Sequence, residues 1–143
     1  MAKETTVNLG PTGKAVCANV KRWRDEKNLT YAELARRLER IGRSIPVLGL
    51  RRIESEDRRV DADDLVALAL AFEVAPITLL MPGMPRAADR HAKVAVTGVK
   101  GRVSAEKLWL WLAAENPLTE MSVWTFMVNA QPEWRHAQWD QRG

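Results

Sequence analysis

The residues best suited to chemistry lie in the stretch 44–60, "SIPVLGLRRIESEDRRV", which combines arginines with an apolar stripe. Guanidinium groups form paired hydrogen bonds with phosphates and with the O6 and N7 atoms of guanine. A solvated loop would not need Leu48, Leu50 and Ile53, and a helix buried all round would not need the arginines. The pattern therefore predicts a helix that buries one face and offers the other to an acidic partner.

Charge is distributed unevenly along the chain, whose net charge is +4. Residues 36–59 hold eight arginines and four carboxylates, whereas residues 60–85 hold four carboxylates and no lysine or arginine. A phosphate backbone attracts the first segment and repels the second. We therefore predict one basic face and one acidic face.

Two helices are predicted ahead of the arginine-rich stretch. Residues 13–27 repeat apolar side chains at helical spacing. Thr30 opens the sequence "TYAE", in which a threonine hydroxyl and a glutamate carboxylate cap a helix reciprocally. The second helix then runs to about Arg40, and Gly42 suits its C-terminal turn.

Three more helices are predicted after this turn. Ser44 is a suitable N-cap for the third helix, with Pro46 in the first turn, where its missing amide has no helical partner. Asp61 caps a fourth helix, "ADDLVALALAFEV", and Pro76 begins a short fifth, "PITLLM". The residues expected to face the core are Ile45, Leu50, Ile53, Leu65, Leu68, Ala69 and Phe72.

This series of helices resembles the lambda-repressor-like, or Xre, family of DNA-binding regulators. The resemblance rests on "LTYAELARRL", "LRRIE" and "DADDLVALALAFEVAPITLL", and the version with "GRSIPVLGLRRIE" is most similar to small regulators of actinobacteria and their phages. It implies a mainly α fold, with a five-helix DNA-binding domain over residues 13–81. The sequence departs from the family pattern in a turn that is several residues longer, and in Gly49, where many relatives carry a base-reading polar side chain.

The resemblance implies that the third helix enters the major groove of double-stranded DNA, where each base pair presents a distinct pattern of donors and acceptors. Arg51 is then the candidate for a paired contact with guanine, and Gly49 would allow close approach of the backbone. The base-facing residues implied are Val47, Leu48, Gly49 and Arg51. The phosphate-contacting residues implied are Tyr31, Arg43, Arg52, Arg58 and Arg59.

Simpler interpretations of the same residues remain open. A charged run such as "ESEDRR" is usually a solvated turn, and Tyr31 can simply staple the start of its helix. Val47 and Leu48 can belong to the core, because the longer turn leaves the helical register open.

Enzymatic, metal-binding and membrane functions find little support. His91 and His136 lack partners at metal-ligand spacing, and the aspartates at 61, 63 and 64 suit a helix N-terminus better than catalysis. Cys17, the single cysteine, cannot form an intrachain disulfide, and no apolar stretch is long enough to span a bilayer. We expect a cytoplasmic, nucleoid-associated protein that is not an enzyme and has no cofactor or metal.

The C-terminal third has a different character. Residues 93–143, the tryptophan-rich region, contain five of the six tryptophans, and their pattern predicts a small α(+β) extension with a hairpin and a helix capped by Ser104. Residues 82–92 read as a linker and residues 1–12 as a flexible N-terminus. A unit this small buries little surface alone, so its tryptophans are expected in a core, a homodimer contact, or a contact with a protein partner or a small effector.

The sequence therefore predicts a sequence-specific regulator of transcription, most consistent with a repressor, that binds double-stranded DNA. A homodimer on an inverted repeat is expected, because one short helix reads only a few base pairs. A monomer that uses its C-terminal part as a second contact is the other arrangement open to it. The alternative is an antitoxin or regulatory adaptor whose tryptophan-rich region binds a protein partner.

Overall fold

The computed structural model describes residues 7–84, 86 and 89–139. Over these residues the chain forms a five-helix domain followed by a hairpin and three short helices. The predicted mainly α fold with a small C-terminal extension is confirmed. The elements are α1 (Pro11–Glu26), α2 (Tyr31–Arg40), α3 (Val47–Glu54), α4 (Ala62–Phe72), α5 (Pro76–Leu80), β1 (Lys93–Ala95), β2 (Arg102–Ser104), α6 (Ala105–Leu112), α7 (Val123–Ala130) and α8 (Glu133–His136).

Local side-chain caps begin two of the domain helices, as predicted. At α2 the Thr30 hydroxyl accepts from the Glu33 amide at 3.1 Å, and the Glu33 carboxylate accepts from the Thr30 amide at 2.8 Å. At α4 the Asp61 carboxylate accepts from the Asp64 amide at 2.8 Å. Each cap satisfies amides that have no partner inside the helix.

Gly42 ends α2 in the left-handed conformation, with φ of 86°. Its amide donates to Glu39 and the Arg43 amide donates to Leu38, at 3.0 and 3.1 Å, which is the double hydrogen bond of a Schellman turn. Glycine suits this position because a Cβ is strained at positive φ.

The predicted N-cap of the third helix was wrong. Helix α3 begins at Val47 with Pro46 as its N-cap residue, and no side chain caps it. The ring of Pro46 disfavours helical backbone at Ile45, so the helix cannot begin earlier. Ser44 lies two residues upstream of the cap, in a part of the longer turn that is not helical.

The core of the five-helix domain contains the apolar residues that the helical spacing indicated. Leu65 is only half buried and packs on the edge of this core. The remaining predicted core residues are fully buried, namely Ile45, Leu50, Ile53, Leu68, Ala69 and Phe72.

The C-terminal extension has a second, smaller core. Strands β1 and β2 pair antiparallel with Val94 opposite Val103, and the Ser104 hydroxyl caps α6 by accepting from the Lys107 amide at 3.2 Å. The predicted hairpin and cap are thus confirmed. The buried residues of this core are Met81, Val96, Ala105, Leu108 and Leu118.

Asn19 links the two cores through a fully buried side chain. Its Nδ2 donates to the carbonyls of Leu79 and Met81 at 2.9 and 2.7 Å. The extension therefore continues directly from the end of the helical domain. The division at 82–92 stays a prediction, and residues 85, 87 and 88 lie outside the described part.

The N-terminal boundary at residue 13 falls inside a helix. Helix α1 already begins at Pro11, and Leu9 is buried against the core. Leu9 of the segment 7–12 is thus packed, whereas Asn8 and Pro11 are exposed. Residues 1–6 of the predicted flexible N-terminus lie outside the described residues.

Candidate nucleic-acid interface

Helix α3 separates its side chains into an inner and an outer face. Leu50 and Ile53 are completely buried, whereas Leu48 is 58% exposed. Arg51 and Arg52 are also exposed, and Val47 is half buried. The sequence left open whether Leu48 belongs to the core or to the surface, and its exposure places it outside the core.

Tyr31 joins the start of α2 to the outer face of α3. The guanidinium carbon of Arg51 lies 4.9 Å from the centroid of the Tyr31 ring, and that of Arg24 lies 4.1 Å from it. A cation over an aromatic face is attracted by the negative charge density of the ring. Tyr31 therefore limits the freedom of Arg51 without neutralising its charge.

Arg24 is itself held by a carboxylate at the end of α3. Its Nε and Nη2 donate to the carboxylate of Glu54 at 3.0 and 2.9 Å, and both side chains are largely buried. The hydrogen bond that Arg24 donates to Glu54 raises the pKa of the Arg24 guanidinium. This pair fixes the end of α3 against α1, so Tyr31 stacks on a guanidinium that has little freedom.

Asp64 is a buried carboxylate that binds two of the predicted phosphate-contacting arginines. Its side chain is 2% exposed, with Oδ1 at 3.0 Å from Nε of Arg43 and Oδ2 at 3.5 Å from Nη2 of Arg58. Arg43 also pairs with Asp61 at 3.0 Å. The hydrogen bond that Arg43 donates to Asp64 is the largest cause of the raised pKa of Arg43. Asp64 thus ties the turn before α3 and the loop after it to the start of α4.

The predicted separation into a basic and an acidic face is therefore wrong at this point. Arg43 and Arg58 come from the basic segment, and Asp61 and Asp64 come from the acidic one. The fold brings these charges together because a buried carboxylate needs charged hydrogen-bond donors.

Gly49 does not lie on the outer face of α3, so its predicted base-facing placement is wrong. The residue is buried, and a Cβ added there would collide with the guanidinium of Arg58 and lie 3.1 Å from Cγ2 of Ile45. The missing side chain leaves room for Arg58 to pass over α3 toward Asp64. The glycine thus serves the packing of the α3–α4 loop.

The last two predicted phosphate contacts have different surroundings. Arg52 is exposed, and it forms no ion pair with any carboxylate of the described residues. Arg59 is exposed as well, but its Nη2 donates to the Asn8 carbonyl at 2.6 Å and so ties the α3–α4 loop to the segment before α1. Arg52 therefore carries its charge freely at the surface, while Arg59 is anchored on one side.

The structure thus brings the predicted residues together in two clusters. Tyr31 and Arg51 form one, and Arg43 and Arg58 form the other through Asp64. Sequence reasoning missed Arg24, Glu54 and Asp64 as the residues that hold these clusters. Of these three residues, only Asp64 stood out in the sequence. Its position three residues after the cap Asp61 indicated a role at the start of α4, but not its pairing with the two arginines.

Comparison with known proteins agrees with this geometry. Residues 20–79, which include α2, α3 and α4, match the family model described as Helix-turn-helix. No curated protein and no solved structure gives a significant match. Residues 20–79 thus form a helix-turn-helix domain of the lambda-repressor-like, or Xre, family, as the motifs indicated.

This match supports a DNA-binding role for residues 20–79. Across residues 7–84, 86 and 89–139, no three potential metal ligands cluster together. No helix in the same ranges has the length and apolar composition needed to cross a membrane.

Proposed function

We propose that the protein is a sequence-specific transcriptional repressor that reads double-stranded DNA with α3 in the major groove. The observation that carries this proposal is the two-sided α3, with Leu50 and Ile53 fully buried and Leu48, Arg51 and Arg52 exposed. A helix of this kind fits the major groove while its inner face stays packed. A repressor acts by occupying its site, which requires only such a surface. It would act in the cytoplasm, at the nucleoid.

The exposed residues of α3 divide into base-reading and phosphate-contacting roles. Arg51 is the residue we assign to guanine, because its guanidinium is exposed and held by Tyr31. Leu48 and the half-buried Val47 would contact thymine methyl groups. Arg52 and Arg59 would contact phosphates, with Tyr31 beside them at the start of α2.

Arg43 and Arg58 are assigned a smaller share of the phosphate contacts. Both already pair with Asp64, so part of the charge that would attract a phosphate is compensated inside the protein. Their main effect would be to hold the turn and the loop that flank α3. Gly49 receives no base-reading role, because it is buried beneath Arg58.

We also propose that the protein binds DNA as a homodimer through the tryptophan-rich region. Helix α7 has no buried residue, and Trp124 and Trp134 are 63% and 71% exposed. Large apolar side chains at this exposure favour an intermolecular contact. Two-fold symmetry would double the number of base pairs read. Trp124→Ser with Trp134→Ser should then halve the mass of the particle in solution, and an unchanged mass contradicts this contact.

The exposed tryptophans also favour a second candidate function, that of an antitoxin or regulatory adaptor. Such a protein would use residues 93–143 to bind a protein partner and would hold duplex DNA only feebly. Selection from a random duplex library with the whole protein separates the two candidates. An enriched inverted repeat supports the repressor. The adaptor is supported if the protein retains no duplex and one protein co-purifies with it through the tryptophan-rich region.

The assignment of roles on α3 has a matched test in two neighbouring arginines. Arg51→Ala should cost about 1–3 kcal/mol of binding free energy and relax the preference at one or two base positions. Arg52→Ala should weaken all sequences alike and lower the salt slope by about one unit. Equal effects of both variants on specific and random duplexes would overturn the division between base and phosphate contacts.

A further inference from the structure

The hairpin of the C-terminal extension carries a concentration of positive charge that the helix-turn-helix domain does not explain. Residues 90–105 contain two lysines, two arginines and one histidine, and no carboxylate. Lys93, Lys100 and Arg102 are all exposed, on or between β1 and β2. The valines at 94 and 103 pack on the second core instead. The hairpin therefore buries one set of side chains and presents cations with another.

The position of this hairpin is fixed by hydrogen bonds to the first turn of α1. The Thr12 amide donates to the Thr97 hydroxyl at 3.2 Å, and the Thr97 amide donates to the Thr12 hydroxyl at 3.0 Å. Gly10 lies so close that a Cβ there would stand 2.7 Å from the same hydroxyl of Thr97. The tip of the hairpin is thus clamped to the helical domain.

A cleft between the hairpin and α1 reaches the loop that follows α3. Lys14 and Arg22 line the α1 side, Arg102 lines the hairpin side, and Glu56 of the α3–α4 loop closes one part of it. The same loop is tied to the segment before α1 by the bond from Arg59 to the Asn8 carbonyl. Arg102 of the hairpin therefore lines a cleft that reaches the loop directly after α3.

These cations lack the partners that other cations of the protein have. Within the part of the chain that the structure describes, Lys14, Lys93, Lys100 and Arg102 form no ion pair, whereas Arg90 pairs with Glu106 at 3.7 Å. Exposed like charges repel one another and gain energy from a shared polyanion. A phosphate backbone supplies negative charge at the regular spacing that several separate cations can use.

We propose that the hairpin is a second phosphate-contacting element, which holds the DNA backbone beyond the base pairs read by α3. This inference rests on the proposed DNA-binding function, because α3 would bring a duplex next to the same loop. Lys100 and Arg102 would each contact the backbone and add affinity without adding sequence preference.

The test uses the full-length protein and a duplex that contains its selected site. Lys100→Ala and Arg102→Ala are measured singly and together, by affinity against salt concentration. Each should lower the slope by about one unit, and the pair by about two, because each phosphate contact releases about one counterion. The effect should disappear on a duplex trimmed to the base pairs read by α3, and the selected motif should not change.

Lys107→Ala is the matched control, since this exposed lysine of α6 lines a different cleft. A Lys107→Ala slope equal to that of the unmodified protein, beside a lower slope for Lys100→Ala, supports the hairpin contact. Steep salt dependence that none of the hairpin variants changes overturns the inference and leaves the repressor proposal standing. No duplex binding by the unmodified protein overturns both. Variants that lose affinity for polyglutamate but not for DNA assign the surface to an acidic protein and overturn the inference.

Discussion

The guanidinium of Arg51 and the ring of Tyr31 are stacked, with 4.9 Å between the guanidinium carbon and the ring centroid. This contact joins the first residue of α2 to the exposed face of α3, so the two helices of the motif share one surface. The Tyr31 ring also contacts the guanidinium of Arg24, which is fixed by its hydrogen bonds to Glu54. The aromatic ring thus supports the guanidinium of Arg51 without forming an ion pair with it.

Tyr31 therefore gives the first prediction. Tyr31→Leu removes the platform and should lower the affinity for the selected site by about 2–5-fold, since an exposed cation–π contact contributes about 0.5–1 kcal/mol. Tyr31→Phe keeps the ring and should retain the base preference. The measurement is a binding isotherm on the selected duplex and on a version altered at the Arg51 position. A loss with Phe as large as with Leu would instead assign the role to the hydroxyl group.

The second prediction concerns the carboxylate that joins Arg43 to Arg58. Asp64→Asn should lower the free energy of unfolding by about 1.5–3 kcal/mol, because it removes the buried charge that accepts a charge-assisted hydrogen bond from Arg43 and pairs with Arg58. Urea denaturation measures this change. Asp63→Asn is the control, since Asp63 is 83% exposed and its only ion pair in the described chain is at 3.9 Å. Equal stability of the two variants would contradict a structural role for Asp64.

Gly49 and Arg58 give a third prediction, in the form of a double-mutant cycle. Alanine is a better helix former than glycine by about 1 kcal/mol, but at position 49 it displaces the Arg58 guanidinium and crowds Ile45. The change in the free energy of unfolding caused by Gly49→Ala should therefore be more favourable, by about 1 kcal/mol or more, in a protein that also carries Arg58→Ala. Thermal or urea unfolding of the four proteins gives the coupling energy. Simple additivity would show that the glycine is not there to accommodate the arginine.

Cys17 gives the fourth prediction, on pH. Burial raises the pKa of its thiol to about 11, from an ordinary value of 9.0. Because the pKa of the thiol is higher in the folded than in the unfolded chain, the unfolded chain loses this proton first as the pH rises. The contribution of Cys17 to stability is therefore fully present below pH 9 and is lost as the pH rises toward 11.

Two measurements check the behaviour of Cys17. A thiol reagent at pH 8 should label the native protein far more slowly than the urea-unfolded chain, because burial keeps the thiol protonated and shielded. Cys17→Ala should make the loss of stability between pH 9 and 11 shallower. Rapid labelling of the native protein would contradict the buried position of the side chain.

The helices and their caps were predictable because they depend on neighbours within one turn. The box formed by Thr30 and Glu33, the Asp61 cap and the spacing of Leu50 and Ile53 all follow from residues three or four apart. The prediction of Ser44 as the cap of α3 was wrong because it placed Pro46 inside the first turn of the helix. Its effect on the residue before it decided the start of α3 instead.

Local sequence thus determined the helices, the apolar stripe of α3 and the match of residues 20–79 to the helix-turn-helix family model. Tertiary structure alone decided which charges meet and which stay free, because ion pairs depend on how helices pack and not on spacing along the chain. Arg43 and Asp64 are 21 residues apart, and Thr12 and Thr97 are 85 apart. Packing placed Gly49 beneath Arg58, left Arg51 on the surface and carried the cationic hairpin to α1, since burying the two cores constrains every loop between them.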